Sequence, residues 1–196
     1  MASTLYQIIT AANLKIGGDP ISSLDEEEQQ ARVYAGIWKP VLDRCLDAAP
    51  WKFATRTLEL TRLVGNPADP RWKHRFTLPA DYRRTRFMMN SAGARLLADT
   101  YISEGHEVFS NYSRLILKYG RTYGEADIGS LPSSFVQYFI CSLAYEAAEP
   151  LSAESSVKQS CARDTQLAFN DAAVIDGWSQ PGSSQPESTW RRVRGG

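Results

Sequence analysis

The side chains able to do chemistry are few and scattered. There are two histidines, His74 and His106, and three cysteines, Cys45, Cys141 and Cys161. A structural zinc site takes about four ligands at matched spacing, and neither histidine has partners so arranged. His106 stands in "SEGHEVF", which reads as an exposed loop. No CxxC pair occurs, and Cys45 and Cys141 fall among apolar residues at helical spacing. Reduced, buried thiols in a cytoplasmic protein are the reading. Carboxylates cluster only at Asp25, Glu26, Glu27 and Glu28. That run reads as the solvated start of a helix, where the helix dipole favours negative charge. "KIGGDP" has the wrong residue order for a phosphate-cradling loop and reads as a helix stop. Serines abound, but no GxSxG occurs. Nothing here requires catalysis, so the chain is read as a non-enzyme with no cofactor and no metal.

Charge is more informative. Lysine plus arginine equals aspartate plus glutamate at 22 each, so the chain is formally neutral. A free nucleic-acid binder would carry a basic excess, because phosphate neutralisation supplies most of its affinity. Yet "RWKHRFTLPADYRRTRF", residues 71–87, crowds Arg71, Lys73, Arg75, Arg83, Arg84 and Arg86 around a Leu-Pro-Ala-Asp-Tyr turn. Strand alternation lets at least one of Arg83, Arg84 and Arg86 face outward. Arginines beside aromatics suit protein interfaces, so these six are candidate interface residues. A solvated face and contact with DNA remain the other readings. A second candidate lies in "GWSQPGSSQPESTWRRVRGG", where Trp190 stands amid Arg191, Arg192 and Arg194. That segment is too poor in apolar residues to fold alone. Its end has an anchor's composition, an aromatic among guanidiniums.

The elements that must carry these residues follow from periodicity. Residues 4–16 read as a short amphipathic helix. A longer one is capped at Ser22 or Ser23 and carries an apolar stripe from Val33 to Cys45, with a kink or change of direction at Pro40 and an end near Pro50. From Trp51 to Tyr119 the period shortens into five or six short antiparallel strands between turn signals. Helices return at Pro132, read as the first helical residue. The first of them is broadly apolar and central to the core, and the second is more polar. Trp51 and Phe53 follow Pro50 directly and are expected to anchor the junction. The predicted fold is α+β: a helical bundle of about four helices drawn from residues 1–50 and 131–176, an inserted antiparallel β-rich subdomain over 51–130, and an extended C-terminal tail over 177–196. No secretory leader is expected, and no apolar run approaches the ~18 residues of a membrane span.

The order of these pieces resembles the head-to-tail adaptor family of tailed bacteriophages, the tail tubular protein A-like proteins of short-tailed phages. The likeness covers about residues 4–176. It is carried by "APWKFATRTLEL", "LPADYRR" and the "GDPISSLD" helix junction, none of them a catalytic motif. The resemblance implies a structural virion protein at the head–tail junction, assembled in the host cytoplasm. It implies a ring of twelve copies that binds the portal and a tail nozzle or other tail protein. Such a ring lines and seals the channel through which DNA passes, with no membrane partner. The alternative is a DNA-associated packaging or regulatory protein using the basic 71–86 stretch. The tail past Trp178 lies outside the likeness. Its composition suits a segment that reaches a neighbouring subunit or the portal.

Overall fold

The computed structural model describes residues 4–21, 28–65, 67–151 and 154–178. The chain is α+β, with helices and two antiparallel sheets. Helix α1 (Leu5–Lys15) opens on a capping box, in which the Thr4 hydroxyl accepts from the Gln7 amide and the Gln7 side chain accepts from the Thr4 amide. It ends as the glycines foretell. The Gly18 and Gly17 amides bond back to the Asn13 and Leu14 carbonyls, and Gly17 takes the left-handed conformation at φ 83°. A side chain at Gly18 would collide with Asn13, whose amide donates to the Asp19 carbonyl and the Gln30 side chain. The "IGGDP" turn is thus wrapped around a buried asparagine.

Helix α2 (Gln29–Asp47) starts later than Ser22 or Ser23, with Glu28 as an extended N-cap that makes no side-chain cap bond. Both serines and the first three residues of the acidic run lie outside the described residues. The helix runs on through Pro40 and ends at Asp47, near Pro50 as expected. Gly36, four residues earlier, is open on its Cβ side. Helices α3 (Ser133–Leu151) and α4 (Ser155–Trp178) close the described chain. Pro132 precedes α3 rather than opening it, and its carbonyl accepts from the Val136 amide. Gly177 and Trp178, expected in the tail, belong to α4. Helix α3 packs against α1, α2 and α4. Phe135, Phe139, Leu143, Ala144 and Ala147 place its apolar face fully inside.

Between α2 and α3 come β1 (Thr55–Glu59), β2 (Thr61–Arg62), β3 (His74–Thr77), β4 (Tyr82–Met89), β5 (Tyr101–Glu104), β6 (Glu107–Ser110) and β7 (Ile116–Arg121). These exceed the five or six expected for two reasons. The run from Ala94 to Asn111 holds two strands joined at Gly105, whose φ is 56°. The first run is also divided at buried Leu60. One sheet has the order β1-β7-β4 and the other β2-β3-β6-β5. Phe76 and Val108 from the second sheet bury with Met88, Leu117 and Tyr119 from the first. A separate cluster gathers the helices together with Trp51, Ala54, Tyr123 and Ile128.

The chain passes from one cluster to the other at Trp51. Its ring is 1% exposed and meets Phe135 and Phe169 edge-on, with centroids 5.2 and 6.0 Å away. Its indole N–H donates to the Cys45 carbonyl at 2.8 Å. Phe53, half-buried, meets Phe135 and Tyr123 edge-on. Trp51→Ala is expected to lower the unfolding free energy by about 3–5 kcal/mol. Trp51→Phe, which keeps an aromatic ring but loses the indole donor, is expected to cost less. Chemical denaturation of both variants checks this, and wild-type stability in Trp51→Ala would refute the anchoring role.

Candidate functional site

The basic stretch does not form one patch. Arg75 lies in β3 and Lys73 just before it, at the second sheet, whereas Arg83, Arg84 and Arg86 lie in β4 of the first. Arg71 is spent locally, its guanidinium forked onto Asp69 two residues away. Lys73 is exposed. Arg75 is half-buried, with a covered Nε that has no partner. Between them His74 has its pKa lowered, first by desolvation and then by Arg62 and Lys73. Trp190, Arg191, Arg192 and Arg194 lie outside the described residues.

Strand β4 breaks simple alternation. Its register against β7 slips between Tyr82 and Arg84 and again between Thr85 and Phe87, so Arg83 and Arg86 are the two extra residues. A bulge re-aims the side chain it carries. Arg83 reaches the end of α2. Its Nε and one terminal nitrogen take the two Asp47 oxygens at 2.9 and 2.5 Å, and it also binds the carboxylate and carbonyl of Asp43 at 2.7 Å. A cation at a helix C-terminus also meets the negative end of the helix dipole. Arg83 therefore serves the junction within the chain, while Arg84 remains exposed. Arg86 is half-buried beside Gly120. One terminal nitrogen approaches the Ala49 carbonyl at 3.4 Å, and its covered Nε has no partner. Its pKa is lowered, by desolvation first and then by Arg84.

The "LPADYRR" stretch supplies a second tie. Asp81 accepts from the Tyr119 hydroxyl at 2.7 Å and from Arg56 at 3.2 Å, and its carbonyl accepts from the Thr122 amide. Burial, then that bond to Asp81, pushes the Tyr119 pKa up to about 12. On the far side of the junction, Asp176 of α4 accepts from the backbone amides of Lys52 and Phe53. The Lys52 ammonium donates to the Gly177 carbonyl at 2.7 Å.

Above the outer face of the first sheet these residues leave a cleft of about 520 Å³. Lys52, Arg86 and Lys118 line it together with Thr55, Thr57 and Phe87. Thr57 and Phe87 both pair with Lys118 across the sheet, which puts all three on one face. The Lys118 ammonium stands 5.4 Å from the centre of the Phe87 ring, and Arg95 approaches the same ring. Among the described residues the lining holds three cations and no carboxylate. Asp47 acts electrostatically on Arg86, but both its oxygens are engaged by Arg83. Lys52 and Lys118 escape a reading of residues 71–87 because they arrive from the α2–β1 link and from β7. The signal available was the lysine beside Trp51 in "PWKF" and the lone lysine in "LILKYG".

The remaining reactive groups are quiet. The three cysteines are buried and free, and burial raises each thiol's pKa. Among the described residues no group of three or more histidines, cysteines and carboxylates is placed to hold a metal ion, and no helix is long and apolar enough to cross a membrane. An apolar pocket of about 290 Å³ lies beside Trp51, Phe53, Phe135 and Ile175 at the end of α4. No protein-family model and no curated protein matches the chain.

The Arg83 clamp has a pH signature. The Asp47 pKa is lowered, mainly by its hydrogen bond from Arg83. A depressed carboxylate contributes stability that is full above the unfolded value of about 3.9 and is lost as pH falls through the lower folded value. Arg83→Met is expected to cost about 1–3 kcal/mol at neutral pH. The melting temperatures of variant and wild type should then converge on acidification below about pH 4. A difference that stays constant down to pH 2 would show that the clamp is not what the substitution removes.

Proposed function

We propose that this chain is a structural virion protein, a head-to-tail adaptor. Copies of it form a ring between the portal and the tail, and the ring lines and seals the DNA exit channel. In this reading residues 1–50 and 131–176 form a helical bundle, residues 51–130 an inserted β-rich subdomain, and residues 177–196 a tail that reaches a neighbouring subunit or the portal. The carrying observation is the convergence of the two most specific stretches of the resemblance. "APWKFATRTLEL" supplies Trp51, Lys52, Phe53 and Arg56, and "LPADYRR" supplies Asp81 and Arg83. Both stretches meet where the helices join the first sheet. A motif whose residues hold two layers in register suits a protein whose work is mechanical connection rather than turnover.

The DNA-associated alternative loses force from the same geometry. Its basic stretch is divided between two sheets, and Arg71 and Arg83 are engaged by neighbouring carboxylates. Electron microscopy and native mass spectrometry of the purified chain, alone and mixed with its portal, separate the two. The adaptor reading predicts closed rings with an open centre, formed alone or on the portal. A chain that stays monomeric in both conditions, yet binds duplex DNA with a steep salt dependence, would overturn it in favour of the alternative.

A further inference from the structure

The cationic cleft and the acidic run sit at opposite ends of one helix. Arg86 bonds toward Ala49, just past the C-terminus of α2, and Lys52 follows. Asp25, Glu26, Glu27 and Glu28 precede the N-terminus of the same helix. At 1.5 Å per residue, the 19 residues of α2 separate the two by roughly 28 Å. The run is also tethered at both sides. Ile21 is buried, with its carbonyl bound by Thr10, and Gln30 is bound by Asn13. Glu28, the described end of the run, stands a full helix length from the cleft of its own chain.

We infer that the cleft receives the acidic run, residues 25–28, of a second copy of this chain. The chemistry matches on each side. The cleft has three cations from three separate elements, an aromatic wall and a covered guanidinium nitrogen without a partner. Guanidinium and ammonium groups in a concave site favour carboxylates that fork onto them. The run offers four carboxylates in sequence, and Glu28, the described one, is exposed and unused as a cap. The formal neutrality of the chain permits such pairing, since its positive and negative surfaces can meet between copies. A contact between two different surfaces is head-to-tail. Repeated, it closes into a ring or continues as a filament. The inference rests on the ring reading above and assigns that ring its charged contact.

Charge reversal tests it. One variant reverses the cleft, Arg86→Glu with Lys118→Glu, and another reverses the run, Glu26→Lys, Glu27→Lys and Glu28→Lys. Melting curves establish that each folds, and Lys118→Glu alone replaces the first variant if Arg86→Glu does not fold. Oligomer size is read by native mass spectrometry across a concentration series. Each variant alone should need at least about tenfold more protein to assemble than wild type. An equimolar mixture should recover assembly, because each reversed cleft then meets a reversed run. Wild-type rings from both folded variants, or a mixture no better than its parts, would overturn the inference and leave the ring reading standing. A wild-type chain that never assembles, even with portal, would overturn both. Unchanged rings from a cleft variant that loses duplex DNA binding would make the cleft a phosphate site and overturn the inference alone.

Discussion

The molecule depends on how the backbone leaves its helices. After α2 the chain must turn, and the amides released there need partners. Asp176, contributed by α4 more than a hundred residues later, accepts from the Lys52 and Phe53 amides. Trp51 fills the space between α3 and α4 and returns its indole N–H to the end of α2. The Arg121 amide bonds the Ala54 carbonyl, and the Tyr123 hydroxyl donates to Phe53. The outgoing and returning segments are therefore held side by side before either becomes part of a layer. Without that closure the first sheet would hang on two unconnected links.

Arg83 secures the same junction from the sheet. Its four hydrogen bonds to Asp43 and Asp47 engage both carboxylates at the C-terminus of α2. Asp43 is also shared with Lys39 one turn back. The clamp consumes the carboxylates that would otherwise neutralise Arg84 and Arg86. One consequence is structural, since helix and strand are fixed together. The other is functional, since the neighbouring cleft stays positive. Stability and surface charge are thus set by one ion network.

Much of this was legible in the sequence. The helix stop at Gly17, the apolar face of α3, the strand-rich middle and the burial of Trp51 all follow from local signals of glycine, periodicity and aromatic weight. The direction of the β4 arginines was not legible. Alternation assigns Arg83 and Arg86 to faces that the two bulges alter, and nothing local in "YRRTRF" announces a bulge. The cleft was equally hidden, because Lys52 and Lys118 are 66 residues apart and become neighbours only through the pairing of β1 with β7. The start of α2 was misplaced for a simpler reason. A serine before an acidic run is a good cap on paper, but the helix begins where Glu28 is already extended.

Hydrogen exchange in the native state tests the junction most directly. If helices and first sheet are one mechanical unit, the Lys52 and Arg121 amides should exchange only through global unfolding, with the same free energy as the amides at the centre of α3. Exchange of those two amides through a cheaper opening, while α3 stays protected, would contradict the account. The sheets would then be a loosely hung appendage, and neither the clamp nor the closure at Trp51 would hold the molecule together.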